Sequence, residues 1–150
     1  MTQAASPRRR KLAGKTQTKP VPDRSRAVEV QDEGGGQLAA ALALIAQTRV
    51  ALLTAQAALE AIVRDSIDPA EQAAAAAGIL RIERELALLE ARRRELVDGS
   101  ATLDPPSADD IAEAQRIAGK LGQIIAANAK AAAIVGLVAD AVSLAAKLQG

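Results

Sequence analysis

The chain has 150 residues, a formal net charge of +1, and no Phe, Tyr, Trp, His or Cys. Those zeros exclude an imidazole base, a thiolate nucleophile, a serine triad relay, an ordinary zinc site and any aromatic platform for a base or sugar. What remains, 37 Ala and 17 Leu with Glu and Arg behind them, leans towards long helices.

Residues 1–36 form a compositional zone of their own. Arg8, Arg9, Arg10, Lys11, Lys15, Lys19, Arg24 and Arg26 stand against Asp23, Glu29, Asp32 and Glu33, a balance of +4, while residues 37–150 sum to −3. With Pro7, Pro20 and Pro22, few aliphatics and a closing Gly34-Gly35-Gly36, this zone is expected to be a disordered basic tail ending in a glycine hinge. The stretch after Lys11 has no apolar core, so it does not read as a secretory signal. Arg8, Arg9, Arg10 and Lys11 are the candidate residues for an anionic partner, whether phosphates or lipid headgroups. The glycine triplet is followed by Gln37-Leu38 and Gly119-Lys120 by Leu121, so neither has the Lys-Ser or Lys-Thr of a phosphate loop.

The body reads as three helices, at about 37–67, 69–98 and 107–148. Asp68 is the expected N-cap of the second helix with Pro69 at its first position, and Gly99, Ser100, Pro105 and Pro106 interrupt the chain after it. Ser107 is the expected cap of the third helix, with Asp109, Asp110 and Glu113 near its positive end. The positive helix end lowers carboxylate pKa values, the wrong direction for a general acid. Leu38, Ile45, Leu52 and Leu59 recur every seven residues, and Ile79, Ile82, Leu86, Leu89 and Leu96 alternate three and four apart. The fold class expected is all-α: an antiparallel three-helix bundle, or a coiled-coil-like helical assembly, behind a disordered basic N-terminal tail.

The third helix is expected to carry the interaction surface. Ile117, Leu121, Ile124, Asn128, Ala131, Val135, Val138 and Val142 continue the three-four spacing, while Ile134, Leu137, Leu144 and Leu148 form a second apolar arc. A helix apolar on nearly every side needs cover on every side, which implies a second copy, a partner or a bilayer. Asn128, central in the seam, reads as a device fixing register or oligomer state, or as a satisfied interior amide. Ala118, Gly122, Ala126, Ala129, Ala133 and Gly136 line up as a small-residue ridge for close backbone approach, or as plain helix filler. Arg92-Arg93-Arg94 reads as a solvated charged block.

The function expected is that of a non-enzymatic structural or interaction protein. It self-associates as a homo-oligomer, or docks the helices of a partner protein, through the seam of the third helix. One alternative is a membrane-active helical protein, with residues 38–59 and 121–146 on or in a bilayer, although Arg49, Lys130 and Asp140 spoil both as clean spans. A second is a non-specific nucleic-acid tether working through the basic tail. No catalytic residue, metal site, cofactor or small-molecule substrate is expected. With no signal peptide and no clean span, a soluble cytoplasmic or assembly-associated place is the default expectation.

Overall fold

The structure, a computed structural model, describes residues 24–148, and their side chains from residue 34. Among these residues the chain forms α1 (Arg24–Asp65), α2 (Pro69–Asp98), α3 (Ala108–Ala126) and α4 (Ala131–Ala146). The class is all-α as expected, with a fourth helix where a single long third one was anticipated. Arg8, Arg9, Arg10 and Lys11 lie outside the described residues. α1 begins well before Gln37 and carries Gly34, Gly35 and Gly36 in helical conformation. Each glycine costs about 1 kcal/mol of helix propensity relative to Ala, but propagating a helix already formed adds a hydrogen bond per residue.

The helix boundaries follow local chemistry. Asp68 Oδ1 accepts from the Ala70 N–H at 2.9 Å, with Pro69 at the first helical position of α2. Gly99 closes α2 at φ +70°, in the left-handed region that favours glycine. At α3, Ser107 Oγ accepts from the Asp110 N–H at 3.1 Å and Asp110 Oδ2 accepts from the Ser107 N–H at 3.0 Å, a reciprocal capping box.

The break between α3 and α4 decides the fold. Asn128 has φ +54°, its N–H donates to the Ile125 carbonyl at 3.0 Å, and the Ala129 N–H donates to the Ile124 carbonyl at 2.9 Å. This is the paired-bond Schellman ending, with Asn where glycine is usual; Asn tolerates the left-handed region because its short polar side chain bonds locally. Asn128 is therefore an exposed turn residue, not a buried seam amide. The cost of one left-handed Asn is of order 1 kcal/mol, whereas each large aliphatic taken out of water contributes about 1.5–3 kcal/mol. Folding back wins because it lets α4 bury both of its apolar arcs in its own chain.

The helices alternate in direction. One core cluster unites Ala41, Leu44 and Ile45 of α1 with Leu96, Ala114, Ile117, Ala141, Leu144 and Leu148. The other unites Leu52, Ala55 and Leu59 with Ala75, Ile82, Leu121, Ala131, Ile134 and Val138. α1 touches all three other helices, α4 does the same, and α2 and α3 do not meet among the described residues. The helices come close at Gly78, where an added Cβ would stand 2.8 Å from both Leu59 Cδ1 and Val135 Cγ2. The anticipated ridge of small residues does not play this part. Gly122 and Gly136 have open space beside them, and Ala118, Ala126 and Ala133 are exposed.

Gly78→Ala is expected to destabilise the bundle by about 1–3 kcal/mol, because Leu59 can swing aside but the β-branched Val135 cannot. Urea unfolding followed by far-UV circular dichroism measures it. A second expectation concerns acid. Hydrogen bonds from the Ser107 backbone and hydroxyl, then from Lys147 at 3.0 Å, hold Asp110 at about 2, below its ordinary 3.8. A carboxylate depressed in the folded state adds stability that is complete above 3.8 and lost as pH falls through about 2. Asp110→Asn is expected to flatten the fall in urea midpoint across that interval while leaving the rest of the pH profile unchanged.

Candidate functional site

The residues expected to face a partner on the third helix turn inward. Ile117, Leu121, Val138, Ile134, Leu137, Leu144 and Leu148 are buried, and Ile124, Val135 and Val142 are half-buried against the same core. The surplus apolar surface inferred for a straight 107–148 helix is thus covered by α1, α2 and α3 after the turn at Asn128.

A different face is left uncovered, on α1. Leu44, Leu52, Ala55 and Leu59 lie in the core with at most 1% of their surface exposed. On the opposite side Ala39, Ala43, Ala46, Val50, Leu53 and Ala57 are all exposed, Val50 by 63% and Leu53 by 45%. Their three-four spacing holds them within an arc of about 80°, in a line about 27 Å long. No charged residue interrupts that line. Helix α1 is therefore apolar on two opposite faces, one packed and one not.

Two grooves flank the line. Between α1 and α3 runs an apolar groove of about 400 Å³ lined by Ala46, Gln47, Val50, Ala114, Gln115 and Ala118. Gln47 Oε1 is buried there without a hydrogen-bond partner among the described residues. Between α1 and α2 runs a charged groove of about 470 Å³ lined by Arg49, Leu53, Leu86, Glu90, Arg93 and Arg94. Glu90 pairs with Arg49 and Arg93 at 3.5 Å and with Arg94 at 3.4 Å.

Arg92 departs from the solvated block expected of its neighbours. Its side chain is 12% exposed and donates to the carbonyls of Thr102 and Leu148, clasping the connection after α2 and the end of α4. Three consecutive arginines thus divide their work: Arg92 turns into the bundle, while Arg93 and Arg94 edge the groove beside α1. Nothing in the run of three distinguishes them in sequence except phase relative to Leu89 and Leu96.

A third depression, about 480 Å³, lies at the far end of the bundle among Ala58, Ile62, Asp65, Glu71, Asn128 and Lys130. Among the described residues its one long-range polar contact is structural. Glu71 Oε2 accepts from the Ala131 N–H at 3.0 Å, so a carboxylate of α2 caps α4, whose own N-cap Lys130 offers no side-chain acceptor. Comparison with protein-family models, curated proteins and solved structures finds no match for the chain.

Glu71→Ala is expected to cost about 0.5–2 kcal/mol, the range of a lost N-cap, and to act first on the end of α4. Hydrogen exchange checks this: the amides of Ala131, Ala132 and Ala133 should exchange faster, while those of α2 keep their protection.

Proposed function

We propose that the chain is a non-enzymatic helical interaction module whose outer α1 face seats a helix of a partner. The observation that carries this reading is the uninterrupted exposed line from Ala39 to Ala57, with Val50 and Leu53 as its large members and a groove on either side. Such a line, at the spacing of a coiled-coil seam, offers knobs and flanking holes to one more helix. The mostly Ala composition lets backbones come close, so modest side chains still yield good packing. The interaction role expected of the third helix is thereby reassigned to the first, since the seam of the third is already occupied within the chain.

A second reading, membrane association, rests on the same helix. The segment Gly34–Asp65 is long and apolar enough to cross a bilayer, with a mean hydropathy of 1.7 over its best window. Against that use stand Arg49 near its centre, at about 2.5–3.5 kcal/mol on the insertion scale, and the aliphatic side chains it would have to withdraw from the bundle core.

The test is a fluorescein-labelled amphipathic peptide helix with Leu at the seam positions, titrated with the full chain and read by anisotropy. Val50→Lys with Leu53→Lys is expected to weaken binding by about tenfold or more, while the urea midpoint moves by no more than about 0.5 kcal/mol equivalent, as for exposed sites. Unchanged binding would remove the α1 face from consideration. Flotation of the chain with liposomes that survives the double substitution would favour the second reading instead.

A further inference from the structure

We propose that the helix seated on α1 is acidic along one flank, with its carboxylates over Arg49, Arg93 and Arg94. This rests on the docking role proposed above and adds the chemistry of the occupant. In the groove between α1 and α2, three guanidinium groups share the single carboxylate of Glu90, at 3.4–3.5 Å. Each contact is long for a charge-assisted bond. The side chains of Arg49, Arg93 and Arg94, which line the groove, are 57%, 54% and 72% exposed, so the guanidinium groups remain accessible to a further acceptor. The excess is positive, it borders the exposed Leu53, and it sits where the flank of a docked helix would lie.

The other side of the line carries no such charge. Ala114, Gln115 and Ala118 of α3 form a neutral wall that admits close approach. A partner helix is thus asked for three features at once: small or medium apolar residues along its seam, acids on one flank and neutral residues on the other. Glu60 of α1 and Glu83 of α2, which runs antiparallel beside it, fall nearer the C-terminal end of α1 than Arg49 does, which confines the required acids to the stretch opposite Arg49. One polarity of the incoming helix then satisfies the surface better than the reverse.

Other occupants fit less well. A second copy laid antiparallel on α1 would set the arginine flank against its own likeness, a like-charge juxtaposition. The Arg8 to Lys11 cluster of the same chain has the wrong sign. A bilayer would gain little from a line in which Ala39, Ala43, Ala46 and Ala57 contribute almost no transfer energy and no aromatic residue settles at the interface.

The experiment uses the full chain and two labelled peptide helices, identical along the seam and differing only in Glu or Lys on one flank. Because the chain contains no aromatic residue, the fluorescence signal belongs to the label alone. At low salt the Glu peptide is expected to bind about tenfold more tightly or better, with the gap closing as salt is raised. Arg49→Glu, Arg93→Glu and Arg94→Glu together should reverse the preference. The milder Arg→Gln triple variant should abolish it, with helicity by circular dichroism unchanged in both. Equal binding of the two peptides, or a preference indifferent to these substitutions, overturns the acidic flank while leaving the docking role standing. Failure of both peptides to bind overturns the docking role itself. A dimer in sedimentation that Leu53→Lys dissolves, or capture by phosphatidylserine vesicles in preference to either peptide, replaces the proposed occupant with a second copy or a membrane.

Discussion

The left-handed turn at Asn128 is the constraint on which the bundle depends. Ala126 ends α3, the next four residues reverse the chain, and α4 returns alongside α1, α2 and α3. Were the helix to continue straight, Leu144 and Leu148 would run past the turn between α1 and α2 with nothing among the described residues to cover them. The reversal converts a helix that is apolar all round from a surplus into a core. It also creates the need that Glu71 meets, because α4 begins beside the first turn of α2 with the Ala131 N–H directed at the Glu71 carboxylate.

Much of this was legible in the residues, and what was not has a physical reason. Asp68-Pro69 and Ser107 with Asp110 mark their helix ends through contacts within a few residues, so reading them needs no tertiary knowledge. The heptad of Leu38, Ile45, Leu52 and Leu59 likewise falls in or against the core. The Asn128 turn was hidden because it consumes about one helical turn, so the three-four spacing of Leu121 and Ile124 resumes almost in phase at Ala131 and Ile134. No glycine or proline announces it; only Asn itself, which serves equally as a seam polar residue or as a helix terminator. The Glu71 cap joins positions 60 apart in sequence and leaves no local trace.

The exposed face of α1 was illegible for a different reason. Alanine is at once the best helix former and the smallest side chain that packs, so an Ala-rich helix has the same pattern whether one face or two are meant for contact. Burial separates them. Ala41, Ala51 and Ala55 are in the core, while Ala39, Ala43, Ala46 and Ala57 on the same helix are not. Glycine shows the same ambiguity. Gly78 is wedged between Leu59 and Val135, and Gly122, which looked the better candidate for close packing, faces open space.

Helix α1, which touches the other three, also carries an apolar face that none of the described residues covers, and an occupant there would couple two equilibria. Anything that occupies the face of the folded chain but not of the unfolded chain raises the folding free energy by RT ln(1 + [L]/Kd), about 2.7 kcal/mol at a hundredfold excess over Kd. Because α1 contributes to both core clusters, that increment is felt through the entire bundle rather than at the rim where contact occurs. Copies of the chain without the proposed occupant would open more often, and so be cleared sooner by proteolysis of the open state, which would tie their abundance to that of the occupant.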